Sequence, residues 1–182
     1  MEIKTQRLVI RETSSADMKE FRETCNDTTS VTDYLTNLSD AELSVAFQDV
    51  AGLSAFFSRL TNSVGDGNEA IYGAYMVDDL IGYIAIVESE IPDLQIALAP
   101  SFRSQGYGFE FLYALLKYLF AEKQYEVIRY TVLPTNKASI KLVEKVGATL
   151  QPPKSNAEKL FIRTYHISKE SLTAQSSCIK KE

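Results

Sequence analysis

The apolar positions of this chain repeat with a period of two in some segments and of about 3.6 in others, which predicts a series of strands and helices. The predicted strands are residues 7–11, 70–77, 80–88, 93–98, 127–133 and 160–167. Only Asp78 and Asp79 separate the second predicted strand from the third. A connection this short predicts an antiparallel hairpin.

The strongest helical pattern covers residues 106–120, where four leucines form one apolar stripe. These are Leu112, Leu115, Leu116 and Leu119. Residues 135–146 predict another helix, which Gly147 ends at the position that favours a left-handed backbone. Further helices are expected from about residue 14 and within residues 41–61, on either side of a polar loop.

The order of the predicted elements indicates the fold class. Three consecutive strands precede the first central helix, which predicts an α+β (mixed α/β) fold with a mixed sheet, not a doubly wound parallel one. A chain of 182 residues suits one domain. We expect that domain to cover residues 1–168, followed by a polar, disordered tail over residues 169–182.

Charge and composition argue against several classes of function. The net charge is −5 and Lys and Arg do not cluster, so no nucleic-acid partner is expected. No apolar run approaches the roughly 20 residues of a membrane span, and the N-terminus lacks the apolar block of a signal peptide, so we expect a cytoplasmic protein without a membrane partner. Cys25 and Cys178 lie far apart and His166 is the single histidine, so no metal site is predicted. We interpret His166 as an ordinary strand histidine.

The turn at residues 103–108 is the first candidate for chemistry, because it joins a predicted strand to the long helix. The first amides of a helix have no internal acceptors, and with the helix dipole they can bind a phosphate or diphosphate. Gly106 and Gly108 lack Cβ atoms, so the backbone can approach a ligand and adopt positive φ. Arg103 and Ser104 can add donors. A plain glycine turn is the alternative interpretation, and neither a Walker loop nor a dinucleotide fingerprint is present.

The combination of motifs is more specific than the turn alone. Residues 103–108 have the pattern Arg-x-x-Gly-x-Gly, and residues 136–139 open the next helix with Asn-x-x-Ser. Together they resemble the GNAT superfamily of N-acetyltransferases. The start TQRLVIR, residues 5–11, is similar to the branch that acetylates ribosomal-protein N-termini, and EKVGA, residues 144–148, is similar to that family's helix ending. The resemblance covers residues 3–167 and implies a central, mostly antiparallel mixed sheet with helices on both faces.

This resemblance implies that acetyl-CoA is the cosubstrate. The turn amides would hold its diphosphate, and its pantetheine arm would pair with the preceding strand, as an added strand does. The implied contacts are Ile96, Ala97, Leu98, Arg103, Ser104, Gln105, Gly106, Tyr107, Gly108, Phe109, Asn136 and Ser139. Gln105 departs from the family pattern, because relatives often have a basic residue there.

The resemblance also implies direct attack of an amine on the thioester. The family often has Glu where Asp93 stands, so Asp93 is a candidate general base, acting through a water because it is one methylene shorter. Glu88 and Glu90 compete for this role, and all three are alternatively solvated carboxylates at strand ends. Many relatives have a Tyr that acts as general acid at the position of Val143. Ser139 is therefore the predicted substitute, which would hydrogen-bond the leaving sulfur.

The acceptor is expected to be a peptide N-terminus or a small amine, bound by a monomer or a homodimer. Residues 26–40 and the helical stretch up to residue 64 are predicted to cover the acceptor side. Tyr72, Tyr75 and Tyr83 could line that pocket or belong to the core.

Two other functions are compatible with the sequence. The first is a CoA-binding module with little or no turnover, which Val143 and the short side chain of Asp93 suggest. The second is a different phosphate-ligand enzyme that uses the same turn.

Overall fold

The computed structural model describes residues 1–14, 16, 17, 21, 69–154 and 162–172. The strands in this part of the chain are β1 (Glu2–Lys4), β2 (Val9–Glu12), β3 (Glu69–Met76), β4 (Asp79–Val87), β5 (Asp93–Leu98), β6 (Val127–Val132), β7 (Thr149–Leu150) and β8 (Arg163–Ser168). The helical elements whose bounds lie within the described residues are a 3-10 turn (Pro100–Phe102), α1 (Tyr107–Glu122) and α2 (Lys137–Lys145).

The strands form one eight-stranded sheet in the order β1-β2-β3-β4-β5-β6-β8-β7. Every neighbouring pair in that sheet is antiparallel except β5 and β6, which are parallel. The parallel pair is connected through α1, as a strand–helix–strand crossover requires. The predicted mixed, mostly antiparallel sheet is confirmed.

The larger hydrophobic cluster lies between one face of the sheet and the two helices. The predicted leucine stripe of α1 is at most 1% exposed and packs against alternate residues of β4 such as Ile84 and Ile86. The intervening residues Tyr83 and Ala85 belong to a second cluster with Phe21, whose ring meets Tyr83 edge-on at 5.8 Å. Because neighbouring strand residues point to opposite faces, helical residue 21 covers the face opposite α1.

The predicted hairpin corresponds to β3 and β4. Each of the predicted strands and helices after it begins and ends within three residues of its predicted bounds. Gly147 has φ of 88°, as expected after the end of α2. Two short strands, β1 and β7, were not predicted, because two or three residues carry too little periodicity. The predicted loop at 26–40 and helix within 41–61 lie outside the described residues.

The last described segment continues past the predicted domain boundary at residue 168. Residues 169–172 are helical, and Leu172 is 4% exposed within the larger core cluster. The Ser168 hydroxyl oxygen accepts the amide hydrogen bond of Ser171 at 3.2 Å, which caps this turn. The ordered chain therefore extends beyond residue 168, and the rest of the predicted tail, 173–182, lies outside the described residues. Among those that are described, no helix is long and apolar enough to cross a membrane.

Candidate active site

A gap opens between β5 and β6 in the middle of the sheet. β5 pairs with β4 at six positions, from Val87↔Asp93 to Gly82↔Leu98. It pairs with β6 at only two, Asp93↔Arg129 and Leu94↔Tyr130. Beyond Leu94 the edge of β5 that faces β6 has no ladder partner in the described sheet, so its amides and carbonyls can pair with a ligand.

The register decides which of the predicted strand contacts face this gap. Ala99 donates its amide hydrogen to the carbonyl of Ile81 at 2.9 Å. Since alternate residues of an antiparallel ladder bond to opposite edges, the main chain of Ala97 also faces β4, and that of Ile96 and Leu98 faces the gap. Of the three predicted strand contacts, Ile96 and Leu98 therefore present main-chain groups to the gap, whereas those of Ala97 are directed toward β4.

The turn after β5 presents the uncapped start of α1. Ser104 has φ of 60° and the N-cap residue Gly106 has φ of 86°. The N-cap residue has no side chain that could cap the helix, and the first internal hydrogen bond of α1 runs from the Glu110 amide to the Gly106 carbonyl at 3.1 Å. The amides of residues 107–109 precede that bond, so with the helix dipole they can bind an anion.

The two glycines of the turn serve different purposes. Gly106 needs the left-handed backbone, which other residues adopt at a cost of about 1 kcal/mol. Gly108 has no positive φ; a Cβ there would lie 3.2 Å from Leu98 Cδ1 and 3.5 Å from Leu142 Cδ2. Gly108 therefore lets α1 pack closely on β5 and α2. This packing brings the start of α1 to the open end of the gap, beside Leu98, opposite the closed end where β5 and β6 still pair.

Most side chains of the turn have partners within the protein. Arg103 donates through Nε to the Leu98 carbonyl at 2.9 Å, and the Gln105 amide donates to the Ser101 carbonyl at 2.6 Å. Tyr107 packs edge-on against Phe102 at 5.9 Å, and Phe109 stacks on Tyr113. These contacts fix the backbone of the turn, so ligand contacts from it are expected chiefly from the main chain.

Arg7 and Glu110 also belong to this region, although the motifs gave neither a role. The Arg7 guanidinium donates to the Glu110 carboxylate at 2.7 Å and to the Gln105 carbonyl at 3.0 Å. Burial raises the pKa of Glu110, but hydrogen bonds from Thr5 and Arg7 lower it more, so the net shift is downward. The only sequence signal was the membership of Arg7 in the N-terminal motif.

Asp93 lies at the closed end of the gap in a two-pronged ion pair with Arg129. Arg129 Nε donates to Asp93 Oδ1 at 2.6 Å, and its terminal nitrogen donates to the other carboxylate oxygen. The side chain of Asp93 is 14% exposed and that of Arg129 is 19% exposed. The hydrogen bond to Asp93 raises the pKa of Arg129, whereas burial lowers it. Protonating Asp93 would disrupt this pair, so the geometry favours a positioning role, and its role as base stays a prediction.

Glu88 is exposed just after β4, next to the start of β5. Its carboxylate accepts a hydrogen bond from the Tyr125 hydroxyl. Burial, and next this bond, raise the pKa of Tyr125. Glu90 is also exposed, as a solvated strand-end carboxylate would be.

Ser139 and Asn136 lie at the start of α2. Asn136 Oδ1 accepts the Ser139 amide hydrogen bond at 3.1 Å, so Asn136 caps α2. Burial raises the pKa of Tyr130, and a hydrogen bond with the Ser139 side chain opposes that rise. Tyr130 pairs with Leu94 where β5 and β6 begin to separate, so its hydrogen bond links Ser139 to the strand at the closed end of the gap. Val143 is fully buried in the core.

The three tyrosines that could line an acceptor pocket are largely core residues. Tyr72 is 1% exposed and Tyr83 is 3% exposed, each in a hydrophobic cluster. Tyr75 is 9% exposed and its hydroxyl donates to Thr13 Oγ1 at 3.0 Å.

The fold of this chain is similar to that of solved acetyltransferases. A GNAT-family acetyltransferase from Bacillus anthracis is 20% identical over 93% of this chain and 99% of its own, with a TM-score of 0.60. The spermidine/spermine N-acetyltransferase SpeG from Vibrio cholerae is 16% identical over 94% of this chain and 99% of its own, with a TM-score of 0.63. The ribosomal alpha-N-protein acetyltransferase RimL, solved with coenzyme A, is 15% identical with the same coverage and a TM-score of 0.62.

At these identities the structures establish the fold alone. The family model for the acetyltransferase (GNAT) domain matches residues 7–149, and no functionally curated protein matches the sequence. The chain therefore belongs to the GNAT acetyltransferase family. Members of this family use acetyl-CoA, so acetyl-CoA is its cosubstrate.

Proposed function

We propose that this protein transfers an acetyl group from acetyl-CoA to a primary amine, either a peptide N-terminus or a small amine. The observation that carries this proposal is the open edge of β5, which leads from the closed end of the gap to the uncapped start of α1. A single extended molecule with amides along its arm and a diphosphate at one end matches both features.

In this proposal the pantetheine arm pairs with the main chain of Ile96 and Leu98. The diphosphate binds the amides between Gln105 and Phe109. The thioester then lies toward the closed end, near Tyr130 and Ser139. Gly106 positions the amides through its backbone, and Gly108 positions the helix through packing.

The reaction forms a carbon–nitrogen bond and breaks a carbon–sulfur bond, with one proton lost from the amine and one gained by sulfur. The lone pair of the neutral amine attacks the thioester carbonyl carbon, and a gap-facing amide of β5 stabilises the oxyanion. When the tetrahedral intermediate collapses, the carbon–sulfur bond breaks and the electron pair leaves with sulfur. The Ser139 hydroxyl donates a hydrogen bond to the thiolate, and solvent supplies the proton that completes the thiol. The amine proton passes to a base, for which Asp93 and Glu88 are the candidates.

The acceptor class is supported by the names of two neighbours. One is named for acetylation of spermidine and spermine, the other for acetylation of a ribosomal protein at its alpha-amino group. Both acceptors are amines, which supports an amine here without distinguishing a small molecule from a peptide.

The test is acetyl-CoA turnover with a panel of polyamines, other small amines and peptides with free N-termini. We expect Ser139→Ala to lower kcat, and the replacement of the true base, by Asp93→Asn or Glu88→Gln, to lower it about a hundredfold. Glu90→Gln is the matched control, because Glu90 is an exposed carboxylate of the same segment and should leave kcat unchanged. Absence of turnover across the whole panel would contradict the proposal.

A CoA-binding module without turnover is the second candidate. Two observations favour it. Val143, at the position where many relatives have Tyr, is buried, and the candidate base Asp93 is engaged in an ion pair with Arg129. This function predicts that calorimetry detects CoA binding while no amine is acetylated. It also predicts that Ser139→Ala changes nothing except CoA affinity.

A further inference from the structure

The segment before β2 crosses to the first turn of α1, more than a hundred residues later in the chain. The Thr5 hydroxyl donates to Glu110 Oε1 at 2.5 Å, and the Arg7 amide donates to the same oxygen at 2.9 Å. Arg7 Nε donates to Glu110 Oε2 at 2.7 Å. Both carboxylate oxygens of Glu110 are therefore bound by this one segment.

Arg7 also determines the orientation of one peptide group in the turn. Its Nη1 donates to the Gln105 carbonyl at 3.0 Å. A trans peptide group is planar, and its carbonyl and amide hydrogen point in opposite directions. With the Gln105 carbonyl held by Arg7, the Gly106 amide hydrogen points away from Arg7, where it can meet a ligand of the turn.

The guanidinium packs closely on the turn itself. Its Cζ lies 4.1 Å from the centre of the Tyr107 ring. A Cβ at Gly106 would lie 3.3 Å from Arg7 Nη2. The turn therefore holds its left-handed residue directly against Arg7, which limits the conformations that residues 105–107 can adopt.

The charge of Glu110 gives Arg7 a second effect. Glu110 is the acidic residue in the first turn of α1, and its lowered pKa keeps it ionised at neutral pH. An unpaired carboxylate there would repel the diphosphate that the same helix start attracts. Arg7 compensates that charge through its ion pair, in which the Glu110 side chain is only 16% exposed.

We propose that Arg7 is the positioning residue of the diphosphate-binding turn. It orients the Gly106 amide through the Gln105 carbonyl and neutralises Glu110 beside the helix start. The inference rests on the proposed function, because the diphosphate is that of acetyl-CoA. A purely structural role for Arg7, tying the N-terminal segment to α1, would instead affect stability and every substrate equally.

The experiment compares thioesters with and without the diphosphate. CoA affinity is measured by calorimetry, and kcat/KM is measured with acetyl-CoA and with S-acetylpantetheine, which lacks the nucleotide and diphosphate. The variants are Arg7→Gln and Arg7→Lys, each with a thermal melt to establish folding. Arg11→Gln is the matched control, because Arg11 lies over the Tyr75 ring at the same 4.1 Å but away from the turn.

We expect Arg7→Gln to weaken CoA binding by about tenfold, which corresponds to about 1.4 kcal/mol. Arg7→Lys should weaken it less, since the ammonium still compensates Glu110 but cannot bond in the same fork. The kcat/KM for S-acetylpantetheine should stay within about twofold for both variants, and Arg11→Gln should change neither quantity.

Two outcomes would overturn the inference: unchanged CoA affinity in a folded Arg7→Gln protein, or an equal loss with both thioesters. The failure of the proposed function is distinguishable, because the unaltered protein would then acetylate no amine, whatever its CoA affinity.

Discussion

The two edges of β5 differ in their pairing, and this difference would allow one strand both to stabilise the sheet and to bind a ligand at its open edge. Toward β4 the strand is paired along its whole length, and toward β6 it is paired at two positions only. The close approach to β4 depends on Gly82, where a Cβ would lie 2.6 Å from the carbonyl oxygen of Ala97. A strand can leave one edge open because its other edge is fully bonded.

The two ends of the gap also differ, in the residues that hold each end in place. The closed end is fixed by the ion pair of Asp93 and Arg129, which links β5 directly to β6. The open end, beside the start of α1, is fixed by a residue outside β5 and β6. Arg7 donates hydrogen bonds to Glu110 and to the Gln105 carbonyl of the turn. Ion pairs therefore support the fold at both ends, while β6 does not pair with the edge of β5 between them in the described sheet.

The largest predicted effect comes from placing proline on each edge of β5. Ala97→Pro removes an amide that faces β4, so we expect it to lower the free energy of unfolding by about 3 kcal/mol. Ile96→Pro removes an amide that faces the gap, and it should leave the ladder with β4 intact. Urea unfolding monitored by circular dichroism measures the difference.

Ile96→Ala is the control, because it removes the Ile96 side chain without removing the amide. If the open edge binds acetyl-CoA, Ile96→Pro should bind CoA more weakly than Ile96→Ala at similar stability. Equal destabilisation by Ala97→Pro and Ile96→Pro, beyond that of Ile96→Ala, would contradict the assignment of the two edges.

A second prediction concerns the closed end of the gap. Asp93→Asn leaves the largely buried Arg129 without its anionic partner, and we expect a loss of about 2 kcal/mol in the free energy of unfolding. Arg129→Gln and the double variant complete the cycle, from which the coupling of the two side chains follows.

The reference for this cycle is the pair of Lys4 and Glu2, at 3.4 Å with side chains 75% and 56% exposed. Solvent screens such a pair, so its coupling should be close to zero. A coupling at the Asp93–Arg129 pair no larger than this reference would show that the pair does not hold the closed end.

The sequence predicted those elements whose periodicity extends over several residues. The leucine stripe of α1 and the alternation of β6 identify each element and the face it buries, because local pattern and burial agree. The central strands β3 and β4 are instead continuous apolar runs, and both of their faces are buried. The order of these elements predicted a mixed sheet. Gly147 identified the end of α2, because its conformation is a local property of the chain.

The features that local pattern could not predict depend on distant residues. The gap arises because β6 leaves β5 after two pairs, which no periodicity within either strand encodes. The partner of Arg7 is 103 residues away, and Asp93 was predicted as a base without knowledge that Arg129 would lie opposite. The packing of Gly108 against Leu98 and Leu142 was not predicted, because the sequence indicated only a role in ligand approach.

The smallest predicted effect concerns β8, the strand that supports β6 on the side away from the gap. His166 lies directly opposite Arg129, and burial, then the charges of Arg129 and Lys154, lower its pKa below 6.5, with Asp93 opposing. The folded protein then binds this proton less readily than the unfolded chain, so the contribution to stability is complete above pH 6.5 and declines as the pH falls below it.

We therefore expect the unaltered protein to lose more stability between pH 7.5 and pH 5.5 than His166→Gln, by less than about 1 kcal/mol. Urea midpoints at the two pH values measure this difference, and carboxylates that titrate in both proteins cancel from it. Because protonated His166 would add a positive charge beside Arg129, Asp93→Asn should enlarge the pH effect. If His166→Gln and the unaltered protein had the same pH dependence, the charge of His166 on β8 would not be coupled to Arg129 on β6.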